Sequence, residues 1–458
     1  MAALLCAAAL VRWEIWSYGS DLGTFAQIVQ NAFHGFTDGP EAGTHFRFHF
    51  SPILVLLWPL VALTHSPLVL QFVQAFLIVG TVFPLASIVR SYAGATWGWR
   101  VGALALLYPP LISAAFLEFH ELAFFPILAL ALIAAADRAR WGWFALFALA
   151  SVCIREDTTL DLAIVGLALG VIGCMRASSR QRGLLAGEPI EPRRLAIAGF
   201  ALAALCVGLL VFYFALTARL GRWAPSHFYV YSFARGPLQV ALAPFTHPIA
   251  FAHAICTPGR LTYLLEAFAP LAFLPLRTRW TWLAVPGLLG VLLSSIVMTW
   301  RMGYHYELLW APWLLLGAAW ALVRIREMRG EELARRWWIA ALAVCFIVLL
   351  AFDPMHPLHY LTPAPYQDSA DVRRAFACVP HDAAVATHDQ WFAELALAYP
   401  HVTEIAPGIS GFNGYVVYTP DWQNAAFQAS VLPEIADARA RGIFTVVCRI
   451  GDVIVLRR

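Results

Sequence analysis

The chain reads as an α-helical polytopic membrane protein of about 11 transmembrane helices, followed by a small C-terminal α/β soluble domain. Three observations carry that expectation. Of 458 residues, 60% are hydrophobic and 13% are charged, and soluble domains do not need so many long apolar runs. Those runs recur at bilayer length as far as residue 352. After Asp353 the pattern changes to short alternating helix and strand signals, the mark of a layered α/β unit. The expected domains are therefore 1–352, within the membrane, and 353–458, outside it.

The expected spans are 2–16, 67–90, 99–116, 121–136, 141–155, 158–175, 195–216, 261–276, 280–299, 307–323 and 337–352. The first is short for a bilayer, so either Trp13 to Trp16 extend it or the true start lies upstream. No basic segment precedes it, unlike a cleaved signal peptide. The run 52–64 is interrupted by Pro59 and closed by Thr64-His65-Ser66-Pro67. It is either an interfacial helix or a short span that would invert everything after it.

Arginine placement favours the interfacial helix. The chain has no Lys, and its formal net charge of +3 conceals a segregation by side. Arg90 and Arg100, Arg138 and Arg140, Arg176 to Arg194, Arg277 and Arg279, and Arg324 to Arg336 all fall in alternate connections. These are the inner loops under the positive-inside rule. The same register puts every His, and the tail domain, on the outer side. The expected partner is the lipid bilayer, with no nucleic acid.

The outer loop 18–52 carries Asp21 at the start of a helical stripe of Leu22, Phe25, Val29, Ala32 and Phe33, with Thr24, Gln27 and Asn31 off it. Asp21 is either a first-turn helix cap or a base or metal ligand facing a lipid-borne substrate. The loop ends in His45, His49 and Ser51-Pro52. Other outer turns carry Glu118-Phe119-His120-Glu121, Arg155-Glu156-Asp157 and Arg301-Met302-Gly303-Tyr304-His305-Tyr306. Charges near membrane depth are costly unless paired or facing a wet cavity, and Asp161 and Glu266 lie inside spans. An ion pair at Arg155, an aromatic belt around His305 or a shared polar pocket each fit these turns. The long connection 217–260 offers Ser226-His227-Phe228-Tyr229 and Arg222, Arg235 and Arg260 for lipid headgroups.

The tail predicts helix at 369–378, strand at 384–387, helix at 391–398, strands at 402–405 and 415–419, helix at 424–441, and strands at 443–449 and 453–456. Cys378 and Cys448 are either a disulfide, permitted outside the cytoplasm, or two free thiols. The eight Cys show no zinc-like spacing.

Several segments together resemble a bacterial membrane-protein family known as domain of unknown function 2079. They are Asp21-Leu22-Gly23, His49-Phe50-Ser51-Pro52-Ile53-Leu54, Tyr108-Pro109-Pro110, Phe119-His120, Arg155-Glu156-Asp157, Ser294-Ser295, Tyr304-His305-Tyr306 and Val379-Pro380-His381-Asp382-Ala383. The family in turn resembles, more distantly, the GT-C superfamily of polyprenyl-phosphate-sugar-dependent glycosyltransferases. The resemblance implies a membrane glycosyltransferase with a polyprenyl-phosphate-linked sugar donor, located in the bacterial cytoplasmic (inner) membrane. It implies that Asp21 is the catalytic or metal-binding acid and that Glu118 or Glu121 is the second. His49, His120, Arg155, Glu156, Asp157, Arg301, Tyr304, His305 and Tyr306 are then the expected substrate contacts. A divalent metal on Asp21, His120 and Glu121 is a further expectation. A transporter or lipid flippase, or a non-catalytic scaffold for the tail, are the competing classes; no internal repeat of the kind transporters use is visible.

Overall fold

A computed structural model describes residues 1–458 except 42, 177–190, 221–229, 235, 352–368 and 423. Arg222, Arg235, Ser226 to Tyr229 and the linker prolines Pro354, Pro357, Pro363 and Pro365 lie outside the described residues.

Among the described residues, five helices are long and apolar enough to cross a membrane: Leu68–Ala93, Glu156–Met175, Pro192–Arg219, Glu307–Arg329 and Glu331–Ala351. The pair Ala95–Leu107 and Pro109–Phe116, bent by 52°, makes up to six. The bend has a local cause. Tyr108 is extended (ψ 110°) because the ring of a following proline disfavours helical backbone. Ala2–Glu14, Phe124–Asp137 and Trp141–Val152 are shorter.

Two expected spans are not continuous. The run 261–276 is helical only to Phe268. Pro270 and Pro275 and the positive φ of Ala272 (50°) and Phe273 (54°) then turn it into 3-10 segments. The run 280–299 holds a regular α-helix only over Val285–Leu292. Hydrophobicity reports burial, and these segments are buried against protein: Leu274, Trp280, Ala284 and Leu288 all join the core around Glu307–Arg329. The run 52–64 forms 3-10 turns over Pro52–Leu57 and a helix over Trp58–Thr64, stopped at left-handed His65.

Glu156–Arg176 and Pro192–Arg219 pack backbone to backbone. A Cβ on Gly166 would meet Gly199 O at 2.7 Å, and one on Gly199 would meet Gly170 N at 2.3 Å. Gly166 and Gly170 thus form the small-residue seam that lets membrane helices approach closely.

The outer loop forms the helix Ser20–Gln30, with Leu22, Phe25, Ile28 and Val29 buried. Two expectations fail there. Phe33 is exposed and packs edge-on to Trp58 at 5.1 Å, because the helix has already ended at Asn31. Gln27 is buried, because a second body covers that face: its Nε2 donates to Ala396 O (3.2 Å) and Val402 O (3.0 Å) of the tail.

The tail is a five-stranded sheet in the spatial order Val402–Glu404, Val385–Thr387, Tyr415–Tyr418, Val453–Arg457, Thr445–Ile450. The first three strands are parallel and the last two antiparallel. Helices Ser369–Phe376, Asp389–Leu395 and Leu432–Ala440 flank it. Of the two alternatives for its cysteines, the disulfide Cys378–Cys448 is formed. It ties the helix side of the sheet to its edge strand.

Two outcomes follow. Closing a loop of 70 residues limits the unfolded chain by about 4 kcal/mol. Cys448→Ser should therefore lower the tail's unfolding temperature, measured by tail-specific proteolysis. A Cβ on Gly23 would lie 2.8 Å from the Phe392 ring and 3.0 Å from Ala393 Cα. Gly23→Val should loosen the tail from the outer helix and raise hydrogen exchange across Asp389–Leu395 without altering the spans.

Candidate functional site

The site starts from a turn that two glutamines hold. Gln71 and Gln74 face inward from an otherwise apolar helix. Gln71 Nε2 donates to Leu117 O at 2.6 Å, Gln74 Nε2 donates to Ala114 O, Leu117 O and Glu118 O, and Gln74 Oε1 accepts from His120 N. From the other side Arg12, buried in the first helix, reaches Phe116 O and Ser17. The turn so fixed aims Glu118 at the outer helix. Glu118 Oε1 accepts from Gly19 N at 2.7 Å and Oε2 from Leu22 N at 3.2 Å. The cap at this helix start is therefore Glu118, supplied from a distant turn. Asp21 makes no such cap, which settles one alternative raised by the sequence. It sits in the first turn, exposed, among negative neighbours, and its carboxylate has no hydrogen bond or ion pair among the described residues. Crowding by surrounding chain, then the charges of Glu118, Glu121, Glu404 and Glu41, push its carboxyl up to about 7.

A second layer lies beneath. His49 Nδ1 meets Glu156 Oε1 at 2.7 Å, and Phe50 N donates to Glu156 Oε2 at 3.2 Å. Ile53 N donates to Cys153 O at 2.9 Å, and Tyr213 Oη donates to Phe48 O at 2.6 Å. The two most specific sequence segments, HFSP and RED, are thus locked to each other. Burial works to lower His49, but the Glu156 carboxylate prevails and raises it. Burial instead lowers His45 to about 4, so its 3.0 Å contact with Glu41 is a neutral imidazole hydrogen bond.

Arg155 is 3% exposed and paired with Asp157, with Glu121 Oε1 3.6 Å away. Glu121 is fully buried, and its Oε2 lies 2.8 Å from His120 Nδ1, close but not aligned as a hydrogen bond. The His120 and His305 rings stack at 3.6 Å and 15°. Burial first, then the Arg155 guanidinium for His120 and the neighbouring ring for His305, hold both far below the usual imidazole range. Burial, the stacked ring and the cation all disfavour a proton on either ring. Both His305 ring nitrogens lack hydrogen-bond partners among the described residues. Tyr306 covers His305 at 4.1 Å and lies 6.0 Å from the Arg155 guanidinium. Phe25 joins the two layers, edge-on to His120 at 4.9 Å and His45 at 5.8 Å.

The structure therefore brings together Asp21 with Glu118, and His49, His120, Glu121, Arg155, Glu156, Asp157, His305 and Tyr306. It does not bring in Arg301, which is exposed and has no ion pair among the described residues. Tyr304 contributes its backbone N–H to Glu307. Arg260, a candidate for lipid headgroups, points inward: it donates to Ser294 O and lies over Trp300 at 4.8 Å. Among the described residues, no three His, Cys, Asp or Glu side chains converge to hold a metal ion. Asp21 is exposed while Glu121 is engaged below by Arg155, so the expected set Asp21, His120 and Glu121 does not fit one. Sequence reasoning missed Arg12, Gln71, Gln74, Tyr213 and the tail residues Asp389 and Glu404. The available signal was a pair of glutamines three residues apart in an apolar helix.

Helices of membrane length with a polar outer cluster and a sheet domain docked on it define a polytopic membrane protein. The chain belongs to the family of predicted membrane proteins called DUF2079, whose model matches residues 12–430. No curated protein sequence matches it. Among solved structures it is similar to ArnT from Cupriavidus metallidurans bound to undecaprenyl phosphate, at 14% identity over 99% of this chain and 97% of that one, with a TM-score of 0.51. The apo state of the same protein gives 15% identity, the same coverage and a TM-score of 0.50. An Archaeoglobus fulgidus oligosaccharyltransferase is similar at 12% identity over 92% of this chain and 69% of that one, with a TM-score of 0.44. The ArnT likeness is one of fold, and the fold is GT-C-like.

An unfolded aspartate loses its proton near pH 4, at about 3.9, whereas folded Asp21 keeps it up to about 7. Between those values the folded chain binds more protons, so stability falls as pH rises. Melting at pH 5 and pH 8 should show a fall in wild type that shrinks in Asp21→Asn.

Proposed function

We propose that this protein is a membrane glycosyltransferase that takes its sugar from a polyprenyl-phosphate donor and transfers it to an acceptor hydroxyl on the extracytoplasmic side of a bacterial inner membrane. One observation carries the reading. The exposed first-turn carboxyl of Asp21, pushed up to about 7, feels the charge of Glu121, which in turn lies 3.6 Å from the buried Arg155, in a fold resembling ArnT, which was captured with undecaprenyl phosphate. A carboxyl titrating near neutrality suits a general base. Asp21 then takes the proton of the acceptor hydroxyl as its oxygen attacks the sugar's anomeric carbon. The lipid phosphate leaves toward Arg155, whose planar guanidinium can meet two phosphate oxygens. The neutral imidazoles of His120 and His305 offer ring N–H donors for the remaining phosphate oxygens. Glu118 acts through the helix it caps, as a positioning residue. The division into a membrane part to residue 352 and an outer domain from 353, with about 11 crossings, belongs to the same proposal. No step needs a metal ion.

The reading is tested with a radiolabelled polyprenyl-phosphate sugar and reconstituted protein. Asp21→Asn should reduce transfer by at least about a hundredfold, with lipid binding unchanged. In wild type, kcat/KM should fall as pH drops below about 7, because the base becomes protonated. Arg155→Lys should lose donor affinity, since a point charge cannot replace a two-pronged contact. Full transfer by Asp21→Asn would sink the assignment.

A further inference from the structure

The tail carries a feature that the membrane site does not use. In its sheet, Val385–Thr387 has Val402–Glu404 on one side and Tyr415–Tyr418 on the other, all three parallel. The chain leaves Val385–Thr387 toward Val402–Glu404, and leaves Tyr415–Tyr418 in the opposite direction, toward Leu432–Ala440 and the antiparallel strands. The carboxyl ends of these two neighbours are a topological switch point, where open α/β sheets bind ligands.

His388 and Thr419 are the residues that follow those two strands. Thr419 N donates to His388 Nε2 at 3.0 Å. That bond fixes the tautomer, leaving the hydrogen on Nδ1. His388 Nδ1 and Thr419 Oγ1 are both buried, and neither has a hydrogen-bond partner among the described residues. The residues themselves are 1% and 3% exposed. Two orphaned polar atoms side by side in a native interior call for an explanation. Aromatic rings surround them: Trp422 at 4.0 Å, Trp391 at 4.8 Å and Phe427 at 4.9 Å from the His388 ring. Trp422 is partly exposed, whereas His388 and Thr419 beside it are buried. Next to the crevice, Asp389 feels the negative charges of Glu404 and Glu118, and Glu404 faces the Ser20 hydroxyl one residue from Asp21. The crevice thus borders the outer helix that holds Asp21.

We propose that this crevice binds a neutral saccharide, the acceptor whose hydroxyl Asp21 activates. This names the acceptor class of the proposed transferase and so rests on that reading. The chemistry selects the ligand. A flat indole offers a face for the C–H side of a pyranose ring. A buried N–H, a hydroxyl and carboxylate acceptors match sugar hydroxyls in number and kind. The carboxylates of Asp389 and Glu404 beside the crevice disfavour an anionic ligand, while Arg439 and Arg449 act on the neighbouring Tyr418. Turning the Trp422 indole aside admits a sugar oxygen to His388 Nδ1 and Thr419 Oγ1.

The test uses full-length protein in nanodiscs and saturation-transfer NMR with maltotetraose, chitotetraose and mannotetraose, with spermine as a cationic probe. At least one neutral tetrasaccharide should bind wild type, bind Trp422→Ala about tenfold more weakly, and bind Trp422→Phe normally. Undecaprenyl phosphate should bind Trp422→Ala as it binds wild type, which separates a local loss from misfolding. The proposal is overturned if no tetrasaccharide binds, if Trp422→Ala binds them unchanged, or if spermine alone binds in a Trp422-dependent way. Failure of the transferase reading has its own signature: unimpaired transfer by Asp21→Asn while Trp422-dependent sugar binding persists.

Discussion

The arrangement depends on one carboxylate at one helix start. The first N–H groups of a helix have no partner within it, and its N-terminus carries a partial positive charge. Glu118 meets both needs for Ser20–Gln30 by accepting from Gly19 N and Leu22 N. It arrives there because Gln71, Gln74 and Arg12 hold residues 114 to 120 by their backbone. The membrane helices therefore set the position of the outer helix, and with it Asp21. A local side-chain cap would have aligned the helix with itself and left its placement over the membrane part to packing alone.

Beneath that helix the charges sort into two tiers. Above are Asp21, Glu118 and, from the tail, Glu404 and Asp389; crowding by surrounding chain first, and negative neighbours after it, push Asp21 and Asp389 up to about 7. Below are Arg155, its two carboxylates and a pair of imidazoles held neutral by burial and by each other. Phe25 separates the tiers with an aromatic wall touching His120, His45 and Phe119. Asp21 in the upper tier is exposed, whereas Arg155 and Glu121 in the lower one are buried, and a cation held in such a low-dielectric place acts more strongly on charge than one in water.

Much of this was legible in the sequence, for reasons that differ between elements. The tail strands were visible because β-branched runs alternate with turn residues, and each predicted strand and helix there has a counterpart within a few residues. The helix after Asp21 was visible by its stripe. The runs 261–276 and 280–299 misled, because apolar composition reports burial and the prolines that break the helix are few. Glu118 was legible as an important acid but not as a cap, since the N–H groups it serves lie 96 to 99 positions away. The stacking of His120 on His305 has no local signal at all. It follows only from how Glu307–Arg329 packs beside the turn at Glu121.

The tail's docking explains why Ser20–Gln30 has no polar outer face of the usual kind. Gly23 lets Phe392 and Ala393 approach its backbone, and Gln27 donates its Nε2 across the seam to Ala396 O and Val402 O while its Oε1 accepts from Gly39 N of its own loop. Trp16, at the end of the first helix, is buried in the tail's own core with Phe376 and Trp391. A domain held by hydrogen bonds to backbone and by a shared core moves with its support. Whatever binds at the ends of the tail's strands is consequently held at a set distance from Asp21, and the acidic tier is a joint product of two bodies distant in sequence. That joint construction would suit the proposed reaction between a lipid-borne donor and a water-borne acceptor, because each substrate would then be presented by the part of the protein that shares its solvent.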